Sequence, residues 1–176
     1  MLRIIIAGLL GGVAMYIWSS LAHVVTPLGT VGVQTIPNEQ PVLTAMQGAL
    51  AGKPGLYMFP AASMKGGDAP GPSGLLVYQD KVNAMTPMTL GREAALELAE
   101  GVLAAFLLSM TALTGYAARA GFVGLLGVTA ALATNPSYWI WYRFPTDYTL
   151  AAMVILIVGY AVAGLAIAAV LRPKAA

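Results

Sequence analysis

The sequence contains no cysteine, a single histidine, and few charges: 9% of its 176 residues are Asp, Glu, Lys or Arg. Each shortage excludes something. Without cysteine there are no disulfides, thiolate metal sites, iron–sulfur clusters or Cys nucleophile. With only His23, haem ligation by two imidazoles is impossible, and any Ser-His-Asp triad would have to use that residue. A soluble domain carries roughly 25% charged residues, so a chain this poor in charge must turn much of its surface to lipid. The net charge of +2 is too small, and the basic residues too scattered, to imply nucleic acid; the pI near 9.0 is a small excess of Lys and Arg on a chain with few charges. GxSxG, P-loop and Rossmann fingerprints are missing as well, so no catalytic class and no catalytic residue is identified.

What the chain does have is hydrophobic runs, with 59% apolar residues and a mean hydropathy of +0.78. The first extends from Ile4 to Val25, about 22 residues without a charge. That exceeds the ~20 residues needed to cross a ~30 Å hydrocarbon core. Arg3 and the small-residue string Ser20-Leu21-Ala22 also resemble a cleavable signal peptide, but the run is long for one, and a retained membrane helix is expected. Thr86-Pro87 reads as the N-cap and first residue of another helix. Its uncharged part, Gly101 to Ala118, is expected to enter the membrane and end at Arg119. A third span is expected over about 120–140, where Asn135-Pro136 interrupts the run and Tyr138-Trp139-Ile140-Trp141-Tyr142 reaches an interface enriched in such rings. The turn Phe144-Pro145-Thr146-Asp147 then starts a fourth span, about 148–171, capped by Thr146 or Asp147. It closes on Arg172-Pro173-Lys174, cations suited to a helix C-terminus.

Charge sets the expected orientation. With the N-terminus inside, the short inner segments hold Arg3, Arg119, Arg172 and Lys174 and no acid. All seven acids (Glu39, Asp68, Asp80, Glu93, Glu97, Glu100, Asp147) then fall outside. The lysines of the long outer segment count for little, because long loops translocate largely regardless of charge. The expected arrangement is an all-α membrane protein: a four-transmembrane-helix bundle forming one membrane domain over 1–176, both termini in the cytoplasm. An extracytoplasmic segment, about 26–100, supplies a small cap of one helix and a β-hairpin. In it Asn38 is expected to cap a helix running to about Leu50. Gly55 to Pro60 and Ser73 to Tyr78 read as short strands around a flexible connection from Ala61 to Pro72.

A series of strings recurs in a known group. They are Trp18 and His23 with Pro27-Leu28-Gly29, Ile36-Pro37-Asn38-Glu39, Pro54-Gly55-Leu56-Tyr57-Met58-Phe59-Pro60, Gly71-Pro72-Ser73-Gly74-Leu75-Leu76-Val77-Tyr78 and Trp141-Tyr142-Arg143-Phe144-Pro145-Thr146-Asp147-Tyr148. Together they resemble an uncharacterised family of small bacterial integral membrane proteins. The resemblance covers nearly the whole chain and implies a bacterial inner-membrane location; it carries no activity, because the family has none assigned.

Two constellations draw attention. On the first helix Gly8, Gly12, Met15, Ser19 and His23 fall within roughly an 80° stripe at ~100° per residue. The glycines there, with Ser19, suit a close helix contact, inside the chain or with a partner. On the second, Glu93, Glu97 and Glu100 are spaced i, i+4, i+7 and project from one face, where like charges repel. A solvated face above the headgroups is the simple reading, hardest to apply to Glu100 at the lipid boundary. His23, Glu39, Glu97 and Glu100 form a candidate mixed N/O site for a divalent metal. The commoner outcome is an ion-pair network joining Arg143 to Glu97 or Asp147. No cofactor is expected beyond that possible metal. The leading expectation is a non-catalytic accessory, scaffold or partner-binding subunit that meets a protein partner or a second copy through small-residue faces such as Gly121, Gly124, Gly127, Gly159 and Gly164. The alternative is an outward-facing ligand or metal site, with or without catalysis, at His23 and the Glu93/Glu97/Glu100 face. Small-solute transport is weaker, since no span carries a midplane charge and no inverted repeat is visible.

Overall fold

A computed structural model describes residues 1–67, 70–81 and 85–172, the side chains of 63 and 64 excepted. Asp68, Pro173 and Lys174, used above in assigning orientation and the last helix end, lie outside the described residues. The chain divides into two compact units, Met1–Val33 with Thr86–Ala176, and Gln34–Met85.

The larger unit is built from four long helices. α1 (Leu2–Val24) follows the first apolar run. α3 (Pro87–Ser109) starts as the sequence indicates: Thr86 Oγ1 accepts from the Thr89 backbone N–H at 3.2 Å, and the Thr86 N–H donates to Thr89 Oγ1 at 3.0 Å. This reciprocal box, with Pro87 at the first turn, satisfies donors that a helix start leaves unpaired. α4 (Tyr116–Tyr142) and α5 (Thr146–Val170) complete the unit. α1 packs against α3 and α5, and α5 against α4, with looser contact between α3 and α4. The closely packed pairs, α1 with α3, α1 with α5 and α4 with α5, are antiparallel. Gly8 meets Val102 and Gly12 meets Leu98; Gly11 meets Ile167; Gly164 meets Ala120 and Gly127 meets Tyr160. The start of α1 and the end of α5 therefore lie together, and Arg3, Ile6, Val170 and Arg172 line one groove there.

The core these helices enclose is mostly small: Ala7, Ala104, Ala105 and Ala163 are buried with Met15, Leu108, Val123, Ile167 and Leu171. Small side chains let backbones approach, the usual source of cohesion where lipid offers no hydrophobic driving force. A Cβ on Gly12 would stand 2.5 Å from Leu98 Cα, and one on Gly127 2.5 Å from Tyr160 Cβ. The glycine stripe on α1 is thus an intramolecular seam.

Three helices, α1, α4 and α5, are long and apolar enough to cross a membrane. The expectation of four is corrected at α3. That helix carries Arg92, Glu93, Glu97 and Glu100, and it stops at Ser109 rather than running on to Ala118. Its uncharged part, Gly101 to Ser109, spans only about 14 Å at ~1.5 Å per residue, under half of a ~30 Å core. The stop has a local cause. Thr111 Oγ1 donates to the Leu108 carbonyl at 2.8 Å and accepts from the Leu113 N–H at 3.4 Å, replacing the next helical bonds. Composition conceals this turn, because Met110 to Thr114 holds no charge, glycine or proline.

Proline has the opposite outcome in α4. The helix continues through Pro136 to Tyr142 without a break. Membrane-type helices tolerate this when side chains and neighbours reorganise the freed backbone groups. Here Thr134 Oγ1 donates to Ala130 O at 2.8 Å and Asn135 Nδ2 to Ala131 O at 3.3 Å. α4 ends with Arg143 in the left-handed region at φ 55, its N–H bonded to Tyr138 O. The N-cap of α5 is Pro145, with Thr146 as first helical residue.

The smaller unit holds α2 (Glu39–Leu50) and an antiparallel pair, β1 (Gly55–Phe59) and β2 (Gly74–Tyr78), with Gly55 opposite Tyr78 and Phe59 opposite Gly74. Helix and hairpin fall where the sequence places them. The connection expected to be flexible opens with a short 3-10 helix, Ala61–Lys65.

Candidate functional site

At the end of the larger unit remote from Arg3 and Arg172, all four helices and the turn after α1 surround a cavity of about 310 Å³. α1 contributes Met15, Trp18, Ser19 and His23; α3 contributes Glu93, Leu96, Glu97 and Glu100; α4 contributes Asn135; and α5 presents Tyr148, Ile155 and Leu156 among others. The volume sits at the lower end of the ~300–1,000 Å³ range of small-molecule pockets.

The walls are held by specific bonds. Trp18 Nε1–H donates to Ile155 O at 2.8 Å, fixing the indole across the α1–α5 seam. Gly159 leaves the room: a Cβ there would lie 3.4 Å from Trp18 Cδ1 and 3.3 Å from Met15 Cγ. After α1 the chain turns through Pro27–Gly29, where Thr26 Oγ1 accepts from the Leu28 N–H. Gly29 packs on His23 so closely that a Cβ there would stand 2.6 Å from the His23 Cα. Gly32 follows at φ +75, a conformation L side chains rarely adopt, and seats against Tyr148 and Asp147. That turn closes the cavity end.

Glu97 is the unusual group. It is 7% exposed, one of three buried polar or charged residues among those described. Ser19 Oγ–H donates to Glu97 Oε1 at 2.7 Å, while Oε2 is buried with no hydrogen-bond partner. Its burial follows from the helix pattern. Glu97, Gly101, Ala104, Ala105 and Leu108 form the buried face of α3, so Glu97 extends the apolar stripe toward the N-terminus. The sequence reading as a solvated face missed this, although the spacing from Glu97 to Leu108 was available to show it. Glu93 remains exposed; Glu100 is half-buried, with the Tyr160 hydroxyl near it. Glu93, Glu100 and His23 lie near enough to act electrostatically on Glu97. His23 Nδ1 stands 2.9 Å from the Ser19 carbonyl, which can only accept, so Nδ1 is the donor in that bond.

The structure therefore brings together His23, Glu93, Glu97 and Glu100. Glu39 belongs to the other unit, at the first residue of α2. No group of three His, Asp or Glu side chains among the described residues is arranged to hold a metal ion. The proposed pairing of Arg143 with Glu97 does not form, since Glu97 Oε1 is taken by Ser19 and Oε2 has no partner. Arg143 closes α4, and Asp147 Oδ1 accepts from the Tyr148 N–H at 2.9 Å. Gly8, Gly12 and Ser19, the expected helix contact, all face α3. Residues the sequence reading left unassigned also enter the site: Trp18 as its indole wall, and Asn135, Tyr148 and Tyr160 as polar groups at or beside it.

The opposite end of the unit holds the second buried charge. Arg119 is 3% exposed and donates from Nη1 to Leu113 O at 2.8 Å and from Nη2 to Leu171 O at 2.6 Å, with Nε unpartnered. It fastens the α3–α4 turn to the C-terminus of α5, where the helix dipole favours a cation. Expected as an exposed inner charge, it is a buried one. Comparison with protein-family models, with curated proteins and with solved structures finds no match for this chain.

Proposed function

We propose that this chain is a membrane-embedded binding protein that takes a small ligand into the cavity between α1, α3, α4 and α5. The observation that supports it is the buried Glu97 carboxyl, half of it without a partner, in a residue that lines the cavity. A buried polar group without a bond costs ~1–3 kcal/mol and persists where something repays the cost. A ligand does that; a lipid-facing scaffold has no need of it. On this reading the site works by binding and orientation.

We place the protein in a bacterial inner membrane with both termini inside, on the resemblance of its sequence strings and on Arg3, Arg172 and Lys174; α3, too short in apolar length to count as a span, still runs back along α1 and returns the chain to that side. Arg119 contributes less to that orientation than its charge suggests, being engaged within the fold.

The second reading, an accessory or scaffold subunit, draws on the faces left open. A Cβ on Gly121 meets nothing within 4 Å, and Gly124 only reaches van der Waals contact with Ala161. Gly8, Gly12, Gly127 and Gly164 are already used inside the chain. The two readings separate on mild-detergent extraction followed by mass analysis of the intact particle. Ala152 lines the cavity from α5, and a bound small molecule, lost when Ala152→Phe fills the space, supports the binding protein. Stoichiometric protein partners on an empty cavity, insensitive to Ala152→Phe, overturn it in favour of the subunit.

A further inference from the structure

The chemistry of the cavity wall narrows the ligand class, on the reading that the cavity binds a small molecule. One side of the space, from α3, carries three carboxyl groups, Glu93, Glu97 and Glu100. Facing it, α1 and α5 supply Trp18, Ile155 and Leu156, an aromatic and aliphatic surface. His23 is the sole basic side chain lining the cavity, and its Nδ1–H is committed to a backbone carbonyl. Carboxyl groups in such excess over cations favour a positively charged occupant. Glu97 is more than nine-tenths buried and lines the cavity, and its Oε2 lacks a partner, so one desolvated acceptor is left unmatched by the chain.

Two kinds of cation answer such a wall. A divalent metal requires several ligands converging at ~2.0–2.2 Å, and no group of three His, Asp or Glu side chains among the described residues is so arranged. An alkylammonium group needs less. Its three N–H donors spread over separated acceptors at ~2.7–2.9 Å, and its hydrocarbon part fits the apolar side that a hydrated metal ion would leave unused.

We propose that the cavity is a site for a primary organic ammonium ion, its nitrogen at the Glu97 and Glu100 carboxylates and its short apolar part against Trp18, Ile155 and Leu156. Glu97 is the positioning acceptor. Ser19 orients it by occupying Oε1 and leaving Oε2 for the ligand. Tyr160 stands near Glu100 from α5.

The test uses the full chain in lipid nanodiscs, with hexylammonium as probe and hexanol, hexanoate and zinc as comparators, read by thermal shift and by calorimetry. Hexylammonium is expected to bind at least about tenfold more tightly than hexanol, the increment of one charge-assisted bond of ~1.4 kcal/mol, and hexanoate not at all. In Glu97→Gln the amide oxygen still accepts from Ser19, so the fold is kept; the ammonium preference is expected to fall to about one. Ala152→Phe, which leaves every carboxylate in place, is expected to remove binding of both hexylammonium and hexanol. Equal binding of hexanol and hexylammonium overturns the ammonium assignment while leaving a binding cavity. Zinc binding stronger than hexylammonium and lost in Glu97→Gln replaces it with a metal site. Failure of every probe, with nothing bound to the particle extracted from membranes, overturns the cavity reading as well.

Discussion

The two ends of the helical unit each bury one charge, and they treat it differently. Arg119 is answered by backbone: two carbonyls, one at the negative end of α5, accept from its Nη1 and Nη2, and Nε alone has no partner. Glu97 is answered by one neutral hydroxyl and faces a cavity with two further carboxyl groups. A charge matched by the chain's own polar groups is part of the fold; a charge left half-matched beside empty volume is available to something else. Near-equal burial of the two, 3% and 7% exposed, makes the contrast one of partners rather than of depth.

That contrast can be tested by removing each group. The largest effect is expected at the seam both ends depend on. Gly12→Leu forces a side chain against the Leu98 backbone, which cannot give way, and is expected to cost about 3 kcal/mol or the fold itself. Loss of a monodisperse peak on size exclusion checks it. Arg119→Leu comes next: a carbonyl of the α3–α4 turn and one at the end of α5 lose their donors, and the apparent Tm should drop by the equivalent of about 2 kcal/mol, with hexylammonium binding intact in whatever remains folded. Ser19→Ala takes from Glu97 its hydroxyl partner and should cost about 1 kcal/mol, weakening ammonium binding along with stability. Glu97→Gln sharpens the comparison most. It should leave stability within about 0.5 kcal/mol of the parent, because the uncharged amide removes a desolvation cost as it removes the charge, yet abolish the ammonium preference. Were Glu97→Gln as damaging as Arg119→Leu, the two ends would be alike and both charges structural. The smallest effect is expected at Gly121→Ala, which meets open space and should change stability by no more than about 0.5 kcal/mol; loss of a co-extracted protein in that variant would instead favour the scaffold reading.

Much of the architecture is written in local pattern. The Thr86-Pro87 start is legible because its capping chemistry involves residues three apart. The hairpin is legible from alternating branched and aromatic residues around turn formers, and α1 and α5 from uncharged runs of adequate length. The end of α3 was not legible. Thr111 redirects the backbone with its hydroxyl, an event that leaves no trace in hydropathy. Nor could continuity through Pro136 be read, since whether proline breaks a helix depends on how the surrounding groups are satisfied.

By itself the sequence determined that this chain is rich enough in long apolar helices to enter a membrane, that its single histidine and its glutamates are the residues with chemistry to offer, and that a helix and hairpin interrupt the helical part. These follow from composition and from spacing along one element. Only the tertiary structure decided that Gly8 and Gly12 serve α3, that Arg119 is a buried clasp, that Arg143 stays apart from Glu97, and that His23 shares a cavity with Glu93, Glu97 and Glu100 while Glu39 belongs to another unit. Those facts depend on which helix lies beside which and in what rotation. Helix periodicity fixes the angle of a side chain about its own axis, but the neighbour it meets is chosen by packing among all four helices at once.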